Sequence, residues 1–98
     1  MTSPKQKNKQ SAKADLLCWT DGAWEDYLHW QCTDAKKLAR INELIRECQR
    51  DPFGGSGKPE PLKGSLSGYW SRRVDREHRL VYLPEDGNLY IVQCRFRT

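Results

Sequence analysis

The spacing of apolar residues changes period once along this 98-residue chain, and that change limits the fold more than any other feature. Before Pro52 the period is helical. Leu38, Ile41, Leu44, Ile45 and Cys48 recur every three or four residues and mark one face of a helix. Toward the C-terminus the pattern alternates, most clearly over Leu89–Arg97, and alternation marks a strand covered on one side. A helical half followed by a strand half, in a chain long enough for one domain, predicts an α+β fold. The expected order is β-α-α-β-β-β. Two N-terminal helices pack on one face of a mostly antiparallel four-stranded sheet, and the other face is left free for a ligand.

Local signals place the elements. Residues 1–14 are polar and lysine-rich and read as a disordered basic tail, so the domain is expected over residues 15–98. Asp15–Trp19 is a short apolar run that predicts the first strand. Thr20 or Asp21 is positioned as an N-cap for a helix carrying Ala23, Trp24, Tyr27, Leu28 and Gln31 on its apolar side. Thr33 or Asp34 caps the second helix, and Pro52 stops it. Residues 53–68 are rich in glycine and read as a loop, in which Pro59 and Pro61 restrict Glu60. Tyr69–Val74 and Arg79–Leu83 read as strands joined by a tight turn near Asp75–Glu77. Pro84–Asn88 reads as a hairpin turn. On the last strand, Tyr90, Val92, Cys94 and Phe96 are expected to face the helices. Leu89, Ile91, Gln93, Arg95 and Arg97 are expected on the open face.

Charge is unevenly spread. Residues 1–14 hold four lysines and no acid, and residues 15–57 hold five basic against eight acidic residues. Residues 58–98 hold eight basic against five acidic, a block able to contact a polyanion or simply a solvated surface. The four cysteines form no CxxC pair, and neither histidine stands at metal-ligand spacing, so no metal or cofactor is expected. Cys48 and Cys94 lie in apolar patterns and read as small buried hydrophobes. No nucleotide-binding glycine motif, no nucleophile elbow and no membrane-length apolar run occurs, and the expected location is the cytoplasm.

The richest segment for chemistry runs from residue 54 to residue 82. It sets the single carboxylate of Glu60 between two prolines and follows it with Lys63, Arg72, Arg73, His78 and Arg79. Glu60 reads either as a solvated loop carboxylate or as a fixed general base. Arg79 reads either as a half-buried strand arginine or as a phosphate clamp. Arg72 and Arg73 are neighbours on a strand, so one of them at most shares a face with Arg79. Lys58 and Lys63 flank the glutamate as phosphate contacts or as solubilising charges. His78 must face away from Arg79. The tryptophans read as core or interface residues, with base stacking by Tyr69 or Trp70 as the alternative.

Several ordered blocks together resemble the YoeB toxins of the RelE/ParE superfamily. They are Trp24-Glu-Asp-Tyr-Leu28, Lys37 to Ile45, Gly57-Lys-Pro-Glu-Pro-Leu-Lys63, Leu66-Ser-Gly-Tyr-Trp-Ser-Arg-Arg73 and Glu77-His-Arg-Leu-Val-Tyr82. The resemblance implies a ribosome-dependent endoribonuclease that cuts mRNA in the A site by 2′-OH attack without metal. It implies a YefM-like antitoxin as partner, operator DNA bound together with that antitoxin, and homodimers. It assigns the general base to Glu60 and the phosphate-stabilising arginine to Arg79. Lys63 and Arg73 match further basic positions of the family near the site, and Lys58, which flanks Glu60, and Arg95, on the open face, are expected to join them as RNA contacts. The family typically ends in His-Tyr, where this chain has Arg97-Thr98. Arginine keeps its proton at useful pH, so Arg97 supplies charge in place of an acid, with Thr98 beside it as an RNA contact. The same departure supports an alternative reading, a catalytically weakened relative that acts as an antitoxin-bound co-repressor.

Overall fold

Thr20 starts the first helix. Its hydroxyl accepts a hydrogen bond from the Ala23 N–H at 3.0 Å, satisfying one of the donors that a helix leaves unpaired at its N-terminus. The structure is a computed structural model describing residues 16–96. In it, strand β1 spans Leu17–Trp19 and helix α1 spans Asp21–Thr33. The predicted tail, and residues 97–98, lie outside the described residues. Asp34 joins the two helices. Its N–H bonds the Trp30 carbonyl at 2.9 Å, which closes α1. Its carboxylate accepts from the Lys37 N–H at 3.0 Å, which opens α2 over Ala35–Arg50.

The remaining strands are β2 (Glu60–Pro61), β3 (Trp70–Arg73), β4 (Arg79–Glu85) and β5 (Asn88–Gln93), with a short 3₁₀ turn at Gly64–Leu66. The sheet order is β1-β5-β4-β3-β2, with β1 parallel to β5 and every other pair antiparallel. The sheet thus has five strands where four are expected. The additional edge arises within the glycine-rich segment, where Glu60 and Pro61 pair with Ser71 and Trp70. The hairpin between β4 and β5 is tighter than expected. Only Asp86 and Gly87 turn, with φ of 54° and 81°, the left-handed pair that a two-residue hairpin requires. Pro84 stays in the strand. It lies beyond the last β3–β4 pair, Trp70 with Tyr82, so its missing N–H removes no ladder bond there.

The core lies between the helices and the sheet. Ile41, Leu44, Ile45 and Cys48 of α2 are buried as their spacing predicts. They meet Ala23 and Trp30 of α1 and Leu80, Tyr82, Leu89, Ile91 and Cys94 of the sheet side. Two face assignments need correction. On α1 the packed row is Ala23, Tyr27 and Trp30, whereas Trp24, Leu28 and Gln31 are exposed. Trp24 sits on the shoulder of the helix and stacks on Tyr27 with centroids 5.6 Å apart. On β5 the alternation is inverted: Leu89 and Ile91 are buried in the core, and Tyr90 and Val92 are only half-buried.

A β-bulge explains the inversion. Tyr82 pairs with Ile91 but Val81 pairs with Gln93, so Val92 is an extra residue and the side-chain phase shifts by one. Cys94 therefore returns to the helix side, the one residue of its set to do so as a fully buried group. Its N–H bonds Asp26 Oδ2 at 3.1 Å, and its carbonyl accepts from Trp30 Nε1 at 2.9 Å. Burial pushes the Cys94 thiol up to about 12 and the Cys48 thiol up to about 11, as befits packed thiols with no reactive role. Among the described residues, no helix is long and apolar enough to cross a membrane.

Candidate functional site

Register decides which side chains share the face away from the helices. Glu60 is paired with Ser71, Ser71 with Val81, and Arg73 with Arg79. Partners across antiparallel strands project to the same side, and residues two apart along a strand do too. Glu60, Ser71, Arg73 and Arg79 therefore share one face, opposite to Arg72, Leu80 and Tyr82. Arg79 Nη1 donates to Ser71 Oγ at 3.2 Å. This bond leans the half-buried guanidinium toward the row that ends at the exposed Glu60. The backbones of Glu60 and β4 are two strand spacings apart, roughly 10 Å. Ser71 was not foreseen as part of this face. A serine between arginines on a strand carries no signal until its pairing is known.

The expected cationic residues gather unequally around this row. Arg73 is exposed next to Arg79. Arg73 and Arg79 line a cavity of about 190 Å³ together with Asp75 and Arg76. A second cavity, about 370 Å³, shares Arg73, Asp75 and Arg76 and adds Arg40 and Lys58. Lys58 is exposed with φ of 53°, a left-handed conformation uncommon for lysine. Lys63 is exposed at the start of the 3₁₀ turn. Arg95 stacks its guanidinium 4.5 Å from the Phe96 ring. Arg97 and Thr98 lie outside the described residues. The residue before them is tied down, because Phe96 O accepts from the Arg79 N–H at 3.0 Å. Phe96 N–H also donates to His78 Nδ1 at 2.7 Å.

Two residues of the rich segment stand apart from the face. His78 turns toward the helices, as expected, with its ring 4.8 Å from that of Trp30. Of the adjacent pair Arg72 and Arg73, one of which at most was expected to share a face with Arg79, Arg72 is the one fully buried on the helix side. Adjacent arginines on a strand look alike in sequence, and pleating sends them to opposite faces.

The turn beside the cationic cavities is itself fixed by charge. Asp75 Oδ1 accepts the N–H groups of Glu77 and His78, both at 2.8 Å. Its other oxygen pairs with Lys37 Nζ. Burial pushes the Asp75 carboxyl up, but the hydrogen bonds from Lys37, Glu77 and His78 outweigh it and hold it below its ordinary value. The same hydrogen bond raises Lys37. No cluster of three or more His, Cys, Asp or Glu residues able to hold a metal occurs among the described residues. Chemically, the face offers one exposed carboxylate able to accept a proton and fixed guanidinium groups able to hold an anion.

Comparison with known proteins agrees with this fold. Residues 19–98 match a family described as YoeB-like toxin of bacterial type II toxin-antitoxin system. Toxin YoeB of Streptomyces coelicolor is 60% identical over 80 residues, covering 82% of this chain and 95% of that one. A YoeB/ParE toxin structure from Agrobacterium tumefaciens is 54% identical with a TM-score of 0.80, covering 84% of this chain and 98% of that one. Staphylococcus aureus YoeB, solved in a YoeB-YefM complex and as a dimer, is 40% and 41% identical with a TM-score of 0.78 in each case. Those two matches each cover 84% of this chain and 95% of the other. The α+β fold and these matches define a toxin of a type II toxin-antitoxin system. Within that class, the chain belongs to the YoeB family.

Proposed function

We propose that the chain is a ribosome-dependent endoribonuclease that cuts mRNA in the A site, acting in the cytoplasm where ribosomes are. The observation that carries this reading is the shared face of Glu60 and Arg79, linked through Ser71. Glu60 takes the proton from a ribose 2′-OH. The 2′-oxygen attacks the adjacent phosphorus, the bond from phosphorus to the 5′-oxygen breaks, and the leaving 5′-oxygen takes a proton from solvent water, giving a 2′,3′-cyclic phosphate and a 5′-OH. Arg79 stabilises the charge that builds on the phosphate, and Arg73, Lys58, Lys63 and Arg95 hold the flanking backbone. Arg97 adds positive charge near the leaving oxygen, with Thr98 beside it. No step needs a metal.

Purified protein, ribosomes and a short mRNA test this directly. Cleavage is expected only of ribosome-bound mRNA, with a cyclic phosphate end. Glu60→Gln should lower the rate by about 10²–10⁴-fold, the usual size of a lost acid-base catalyst. A Glu60→Gln rate equal to wild type contradicts the assignment.

The partners follow from the family. A YefM-like antitoxin blocks the toxin, the pair binds operator DNA, and the toxin forms homodimers. The YoeB-YefM complex and YoeB dimer of Staphylococcus aureus support the antitoxin and the homodimer. A second reading, a weakened enzyme that works as co-repressor, rests on Arg97-Thr98 at the chain end.

A further inference from the structure

We propose that Arg72 is a positioning residue for the cleavage step. Its buried guanidinium gathers the loop of residues 51–57 and thereby sets where Glu60 emerges on the open face. This rests on the reading of Glu60 as the base.

The guanidinium is spent almost entirely on that loop. Nη2 donates to Asp51 O at 2.7 Å and to Gly54 O at 2.6 Å, and Nη1 donates to Ser56 O at 3.0 Å. Nε donates to Tyr82 Oη at 3.1 Å, and that hydroxyl in turn donates to Pro52 O at 2.6 Å. Four carbonyls of one loop thus converge on a single cation and the phenol bound to it. Glu47 closes the arrangement from α2. Its Oε1 lies 3.6 Å from Arg72 Nη1 and accepts the Ser56 N–H at 2.7 Å. A cation with no exposed surface needs such complete satisfaction, because an unpaired buried charge is costly.

The loop is also wrapped too closely to settle elsewhere. Gly55 has φ of 108°, and a Cβ there would lie 2.5 Å from Glu47 Oε1 and 3.0 Å from Arg72 Nη1. Gly57 has φ of 83°, and its Cβ would lie 3.1 Å from Arg72 Cβ. Gly57 O then accepts the Arg73 N–H at 2.7 Å, the last tie before Lys58, Pro59 and Glu60. Strand β2 has only two residues, followed by one bond from the Leu62 N–H to Tyr69 O at 2.9 Å, so the chain that enters it is held on its N-terminal side by the loop. The placement of Glu60 is therefore inherited from the loop. A lysine could not substitute, because one ammonium cannot reach Tyr82 and three diverging carbonyls as a planar fork does.

The test compares wild type, Arg72→Lys and Gly55→Ala, with rates expressed per folded molecule. Both variants should lower kcat on programmed ribosomes by about 10–100-fold, the scale of a misplacement near 1 Å. KM for ribosomes should stay within about twofold. Amide exchange over residues 54–60 should accelerate while α2 and β4 keep their protection. If Arg72→Lys does not fold, Gly55→Ala carries the test, since it presses on the same clamp without removing its charge. Faster exchange with unchanged kcat would reduce Arg72 to a packing role and overturn the proposal. If wild type fails to cut, the nuclease reading falls separately. Exchange then decides the clamp alone, and unchanged protection of residues 54–60 in the variants overturns it.

Discussion

In the proposed mechanism, Arg79 and Arg97 would divide the work that a histidine otherwise shares. In that mechanism Arg79 meets the phosphate from β4, where its N–H is bonded to the Phe96 carbonyl. Arg79→Ala should therefore cost about 10²–10³-fold in cleavage rate, as for other lost oxyanion donors. Arg97→His with Thr98→Tyr tests the chain end. If proton donation limits the present enzyme, the pair raises cleavage by about 10²-fold or more. An unchanged rate would mean that Arg97 already suffices, and the co-repressor reading would lose its basis. Titration at the residue scale also shapes stability. Hydrogen bonds from Ser56 hold Glu47 below its ordinary 4.5, with help from Arg72, and Asp75 lies below 3.8. Both carboxylates are depressed on folding, so their contribution is full above those values and is lost as pH falls through the folded ones. Lys37 is raised, so its contribution is present below 10.5 and is lost as pH rises through its folded value. Thermal unfolding should show a plateau across neutral pH with an acid limb below about pH 5. Asp75→Asn should flatten that limb, and an unchanged limb would show that other carboxylates govern it.

At the scale of elements, the caps and the bulge matter most. Asp34 caps α2 while its backbone closes α1, so Asp34→Ala should destabilise the domain by about 0.5–2 kcal/mol. A loss near 1 kcal/mol lowers the midpoint of unfolding by about 4–8 °C in a domain of this size. No shift would mean that Lys37 and Asp75 hold the helix start unaided. Both helices, a turn near Asp75–Glu77 and a hairpin within Pro84–Asn88 were legible in sequence, though not the hairpin's exact two residues, because caps, helical spacing and turn residues act within a few positions. The bulge at Val92 was not. Alternation fixes two faces but does not say which one meets the helices, and one extra residue exchanges them. The Glu60–Pro61 strand was hidden for a related reason, since two residues carry no period. Glu60 and Arg79 could be singled out by type and order, whereas their link through Ser71 depended on three-strand register. Which of Arg72 and Arg73 turns inward could not be read, because the carbonyls that surround Arg72 come from a loop without a pattern of its own.

Over the whole molecule, the proposed site and the packed core occupy opposite sides of one sheet. The helices cover one face with the apolar core, and the other face and its edges carry Lys58, Glu60, Arg73 and Arg79. The excess of basic residues after position 57 lies in the part of the chain that supplies this face. Binding to ribosomes should weaken as salt rises, because phosphate contacts release counterions. The proposed cleavage of mRNA during translation, with Glu60 doing the proton transfer, is open to one direct measurement. Brief expression in a bacterium, followed by mapping of new mRNA 5′ ends beside the Glu60→Gln variant, tests it most directly. Cuts are expected inside reading frames of translated messages, absent from untranslated RNA and absent with the variant. A folded protein that leaves translated messages intact, or a variant that cuts as well as wild type, would contradict it.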